Sequence, residues 1–150
     1  MIPIKNNDKI MNDINNNTNN TSTHTDIHHM SGSSLAFVGD AVFALYVRQR
    51  VAMQYDKKSG GLHALTSRYV SARSQAVMAD AILPCLDEAE QDIFARCKNA
   101  HVDNKTKAAS FKEYKKATGL EGVLGYLYLM GNHERLGELC EMCFETIHNA

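Results

Sequence analysis

The 150-residue sequence predicts an all-α fold of about five main helices, and three observations predict it. Apolar residues recur at gaps of three and four. No run alternates apolar and polar residues as a half-buried strand does, and no hairpin dipeptide separates two β-like runs. The first helix starts at Ser33 or Ser34 as N-cap and reaches about Met53, with Leu35, Val38, Val42, Leu45 and Tyr46 at helical spacing. Lys57 to Gly61 is a loop. Leu62, Leu65, Tyr69, Ala72, Ala76, Ala79 and Leu83 then mark one amphipathic helix, stopped by Pro84. Its polar face carries His63, Arg68, Ser71 and Gln75. A short acidic helix spans 87–97, and a polar basic loop follows from Lys98 to about Thr106. A long helix runs from about Ala108 to Met130, Gly131-Asn132 breaks it, and a last helix runs from His133 to about Ile147.

Composition divides the chain in two. Residues 1–30 form an Asn/Thr-rich extension, and 31–150 hold the domain. Residues 1–25 contain eight Asn and four Thr with no aromatic residue, too little apolar area to offset the entropy of ordering. His24, His28 and His29 in this segment are expected to be solvated. No stretch has the length of a membrane span or the design of a signal peptide, so a soluble, cytoplasmic protein is expected. Four cysteines fit a reducing compartment. Cys140 and Cys143 have the gap of two zinc ligands, but no second pair accompanies them, and they are read as buried thiols.

The net charge of −1 hides a segregation. Arg48 to Arg73 carries six basic residues against Asp56 alone, and Arg96 to Lys116 carries seven against Asp103 and Glu113. Acidic residues gather at 80–92 and 134–145. Such a distribution gives either a phosphate-binding face or merely solubilised helix ends.

The sharpest feature is a pair of acids. Asp40 stands alone in SLAFVGDAVFALYV (34–47), and Glu121 stands alone in ATGLEGVLGYLYLMGN (117–132). A buried, unpaired charge costs several kcal/mol, roughly, unless it is paired, metal-bound or neutralised. Gly39 precedes Asp40, and Gly119, Gly122 and Gly125 surround Glu121. Mid-helix glycines cost about 1 kcal/mol each relative to Ala, so a close approach of neighbouring elements is expected to offset them. The two helices are therefore expected to cross at short range beside the two acids. Two readings remain at this point. In one, the carboxylates share a hard divalent cation for phosphodiester chemistry. In the other, Asp40 is hydrogen-bonded to a neighbour and Glu121 lies at a solvent edge.

The segment Leu35-Ala36-Phe37-Val38-Gly39-Asp40-Ala41-Val42 resembles the signature helix of the ribonuclease III catalytic domain. Its form resembles the short bacterial branch, Mini-ribonuclease III, which lacks the double-stranded-RNA-binding domain. Three further segments agree in order: Leu62-His63-Ala64 with Tyr69 to Ala72 and Gln75-Ala76, then Arg96 to Ala100 (RCKNA), then Tyr114 to Leu129. The resemblance implies a homodimeric, Mg²⁺-dependent endonuclease of double-stranded RNA, with Mn²⁺ as a substitute. Its catalytic and metal-binding residues would be Asp40 and Glu121. The implied substrate is the precursor of large-subunit (23S) ribosomal RNA, and a large-subunit ribosomal protein is a further expected partner. Further acids of the longer enzymes fall here on Ser33, Ala36 and Thr118, a pattern similar to the branch. The last matched segment lies near the end of the sequence, so no separate RNA-binding domain is expected after it. The catalytic domain must then grip RNA itself. The expected contacts are Lys57, Lys58, Lys98, Asn99, His101, Lys105 and Lys107, although Cys97 and His101 depart from the branch's loop. Phe37 is expected at the dimer interface, with a core position as the alternative. The competing function is a non-catalytic helical module that binds RNA or the ribosome. Retention of both acids weighs for the enzyme.

Overall fold

The computed structural model describes residues 26–56, 58–100 and 108–150. The chain forms two compact units, Met1–Met30 and Ser31–Ala150. In the first, residues 26–28 make a helical turn closed by the His29 and Met30 amides, which donate to Asp26 and Ile27 carbonyls.

The described residues of the second unit form six α-helices: α1 (Gly32–Gln54), α2 (Ser59–Val70), α3 (Ala72–Ile82), α4 (Glu88–Lys98), α5 (Ala108–Leu129) and α6 (His133–His148). A 3₁₀ turn, Leu83–Cys85, follows α3 at Pro84. Helix α1 begins earlier than its sequence signal. Ser31 is the N-cap, and its hydroxyl accepts from the Ser34 amide at 3.1 Å. Its inward row is Leu35, Gly39, Phe43, Val47 and Val51, one residue every four positions. The row expected from periodicity included Leu45, which is 68% exposed. Periodicity alone weighed every apolar side chain equally. The close packing of Gly39 on α5 decides which row turns in.

The expected single helix over 62–83 is two. Ser71 adopts an extended conformation (φ −63°, ψ 149°) and caps α3 by accepting from the Ser74 amide. The Ser74 hydroxyl donates to the Arg68 carbonyl at 2.6 Å and stitches the break from the other side. Restarting the helix rotates the second half. Gln75, Ala76, Met78, Ala79 and Ile82 face inward, while Ala72 is exposed. The polar-face position expected for Gln75 is thus corrected: it is 2% exposed.

Helix α5 is the centre of the bundle, packing on α1, α3, α4 and α6, with Leu120, Val123 and Leu124 fully buried. Gly131, at φ +73°, takes the left-handed conformation that ends it, and Asn132 caps α6. Helix α4 opens with a capping box between Asp87 and Glu90. Glu90 is 1% exposed, and its charge is compensated by Arg135 of α6, whose Nη2 donates at 2.9 Å. Helix α6 closes the bundle. Phe144 stacks on Tyr69 with centroids 4.4 Å apart, and the Arg50 guanidinium lies over the Phe144 ring at 4.6 Å from its centroid. Arg50 and Tyr46 both donate to Glu141. Cys97, Cys140 and Cys143 are buried thiols, and Cys85 is exposed.

Candidate active site

Gly39 and Gly125 make the crossing of α1 and α5. A Cβ on Gly39 would overlap the backbone carbonyl of Glu121, and one on Gly125 would overlap the carbonyl of Leu35. The two backbones touch, which accounts for glycine in mid-helix at both positions. Gly122 and Gly119 answer to a different neighbour. Their missing side chains leave room for Cys97 and for the Phe94 ring of α4. The Cys97 thiol thus fills the hollow that Gly122 leaves.

At the crossing, Asp40 from α1 and Glu121 from α5 line one cleft of about 230 Å³. Ser33, Ala36, Phe37, Ala100, Tyr114 and Thr118 complete it. The expectation that both acids are buried in apolar helices needs correction. Asp40 is exposed, and Glu121 is half-buried. The apolar stretch around Asp40 is outward-facing on one side, with Phe37 82% exposed, which removes the core alternative for that residue.

The electrostatics fall mainly on Glu121. Burial pushes its carboxyl up to about 7, and the negative charge of Asp40 adds to the rise. A hydrogen bond from the buried Gln75 side chain pulls the other way. Among the described residues, neither acid has an ion-pair partner. The same residues contain no group of three or more His, Cys, Asp or Glu that could hold a metal ion. Two carboxylates facing one water-accessible cleft are an oxygen-only donor set, which fits a hard divalent cation that keeps several waters. The Thr118 hydroxyl donates to the Tyr114 carbonyl at 2.9 Å and brings no negative charge to that set. Ser33, Ala36 and Thr118 stand in the same cleft walls, so the missing acids of the longer enzymes are absent from the site itself.

Gln75 is the site residue that sequence reasoning misplaced. A glutamine at a core register of a broken helix was the available signal, and the unbroken apolar period concealed it. Of the expected RNA contacts, Lys98 lies at the end of α4 and Asn99 is exposed as its C-cap. Lys58 is exposed as the N-cap of α2 and does not line the carboxylate cleft. Lys57, His101, Lys105 and Lys107 lie outside the described residues. No helix among the described residues is long and apolar enough to cross a membrane.

An all-helical domain sets an Asp and a Glu across a glycine-mediated helix crossing, and comparison with known proteins gives its class. Residues 33–132 match the Ribonuclease III domain. The chain belongs to the ribonuclease III family and is an endoribonuclease. It is 40% identical over 113 residues to Mini-ribonuclease 3 of Thermoanaerobacter sp., covering 75% of this chain and 80% of that one. It is 36% identical over 124 residues to Mini-ribonuclease 3 of Streptococcus pneumoniae, covering 81% and 97%. A crystal structure of a Fusobacterium nucleatum protein superposes with a TM-score of 0.72 at 30% identity, over 80% of this chain and 96% of that one.

Proposed function

We propose that the chain is a Mg²⁺-dependent, double-strand-specific endoribonuclease that works as a homodimer in the cytoplasm and matures the ends of 23S ribosomal RNA precursor. One observation carries the reading: Asp40 and Glu121, unpaired among the described residues, share a cleft at the backbone contact of α1 and α5. Asp40 and Glu121 would hold the divalent cation, which when bound lowers the pKa of its water and offsets charge on the phosphoryl oxygens. The chain's own part is placement. The Gly39–Gly125 contact sets the separation of the two carboxylates, and the Gln75 amide orients Glu121. A phosphodiester would enter this cleft, whose lining includes Phe37 and Tyr114 beside the two acids.

The homodimer rests on α1. Phe37, Leu45 and Met53 are 82%, 68% and 80% exposed on a helix whose other side is the core. Cutting both strands of a duplex in one visit requires two sites related by a two-fold axis. A second copy seated on this face would cover Phe37 at the rim of the cleft. The ribosomal substrate rests on the resemblance of the signature segments to the short bacterial branch, and the relatives named Mini-ribonuclease 3 support the endoribonuclease activity.

The test is cleavage of a duplex RNA by purified protein with and without Mg²⁺, beside Asp40→Asn. Parental cleavage that requires the metal and disappears in the variant is expected. Parental-rate cutting by the variant would sink the assignment. A 23S precursor stem should be cut at defined positions, and indiscriminate cutting there would remove the ribosomal part.

A further inference from the structure

A second cavity lies apart from the carboxylate cleft and exceeds it in volume. It is an open groove of about 600 Å³ between α3, the end of α4 and the first turns of α5. Five cations line it: Arg73 from α3, Lys98 from α4, and Lys112, Lys115 and Lys116 from α5. Two carboxylates, Asp80 and Glu113, stand against them. Asp80 is occupied by Lys116 at 2.8 Å. Lys115 lies over the Phe111 ring at 5.5 Å. Among the described residues, Arg73, Lys98, Lys112 and Lys115 have no carboxylate within ion-pairing distance. Like charges gathered on three helices repel one another, and packing alone gives no reason to gather them. The arrangement asks for an extended anion.

The groove and the carboxylate cleft share one wall, α5. Lys115 precedes Glu121 by six residues, about 9 Å along α5, on the neighbouring face. Arg73 precedes Gln75 by two residues, and Gln75 bonds Glu121. Lys98 precedes Ala100 by two, and Ala100 lines the cleft. The groove and the cleft thus lie on different faces of α5 and have no lining residue in common. The cations of the groove are long side chains of the kind that contact phosphates and position a duplex without reading its sequence.

We propose that this groove is a phosphodiester track: it holds backbone phosphates of the duplex RNA beside the bond held at Asp40 and Glu121. The proposal rests on the endonuclease reading. It assigns Arg73, Lys112, Lys115 and Lys116 to substrate binding, with Lys98 beside them. Binding at the track is sequence-independent and salt-dependent, since each phosphate neutralised releases counterions.

The experiment is titration of a fluorescent duplex RNA into the full chain, in the Asp40→Asn background so that no cutting occurs. Binding is read across a range of salt concentrations. The triple variant Arg73→Gln/Lys112→Gln/Lys115→Gln removes three exposed or half-exposed charges while keeping helix formers. Its affinity is expected to fall at least about tenfold near 0.1 M salt, and the slope of log K against log salt to shrink by about two to three. Circular dichroism should report an unchanged fold. Arg68→Gln, an exposed cation on α2 outside the groove, should leave the slope in place. A folded triple variant with parental affinity and slope overturns the proposal, and would leave the groove to an acidic protein surface. Cleavage by the parental enzyme is measured separately. An enzyme that cuts duplex RNA while the track variant binds normally overturns the track alone. An enzyme that cuts no duplex overturns the endonuclease reading and the track with it.

Discussion

The α1–α5 crossing and the α3–α5 groove lie on neighbouring faces of the same helix and are built on opposite principles. At the crossing, two backbones touch through Gly39 and Gly125, and every distance follows from main-chain contact. In the groove, long charged side chains reach into open space, and no single distance is imposed. Chemistry on a phosphodiester tolerates little displacement of its ligands, so its residues stand on rigid backbone. Grip on a polyanion is a sum of weak, screened contacts, so it tolerates mobile side chains. Substitutions should therefore act abruptly at the crossing and gradually in the groove.

The largest effect is expected from Gly39→Ala. The added methyl overlaps the Glu121 carbonyl, so α1 and α5 must separate. A loss of about 1–3 kcal/mol or more in denaturant unfolding, together with loss of cleavage, is the expected outcome. A variant with parental stability and activity would break the contrast at its firm end. Asp40→Asn comes next: cleavage should fall by at least about 10²-fold, as expected for loss of a cation ligand. Its stability should hold or rise, because the charge facing Glu121 is gone. Coincident loss of stability would make Asp40 structural.

Gln75→Leu keeps the volume of a buried residue and removes its bond to Glu121. About 10–100-fold less activity is expected, with a higher Mg²⁺ requirement measured by titrating the metal. An unchanged Mg²⁺ profile would reduce Gln75 to packing. Glu121 also predicts a pH dependence of stability. Its folded pKa, about 7, lies above the ordinary 4.5, so the folded state holds more protons between those values. Stability of the metal-free protein should therefore fall as pH rises from about 4.5 to about 7, by up to about 3 kcal/mol. Thermal melts across this range should show the decline, and Glu121→Gln should flatten it. The smallest effect belongs to the groove. Lys112→Gln alone should lower the salt slope of RNA binding by about one and leave the melting temperature in place. A collapse of binding from that one change would contradict a summed, tolerant surface.

Much of this was legible along the chain. Four of the helices, α1, α4, α5 and α6, lie close to where their spacing puts them, since 3.6-residue periodicity and Gly131 act locally. The pairing of Asp40 with Glu121 was also legible. Lone acids in apolar runs and glycines without a local use point to a crossing before any coordinates exist. Local patterns could not show that Ser71 interrupts an unbroken apolar period and turns Gln75 toward Glu121. The break depends on two serines bonding across it, and the apolar spacing stays continuous over it. Nor could they show the exposure of Phe37, because an apolar residue on a core helix reads the same whether it faces in or out.

The order of residues by itself determined an all-helical domain, two acids that had to be accounted for, and two basic stretches. Only the tertiary structure decided that Asp40 lies open while Glu121 is half-buried, and that Arg73 and Lys115 face one groove from helices more than thirty-five residues apart. The physical reason is range. Helix formation and capping are settled within a few residues, whereas burial, pKa and the gathering of charge depend on which helix faces come together.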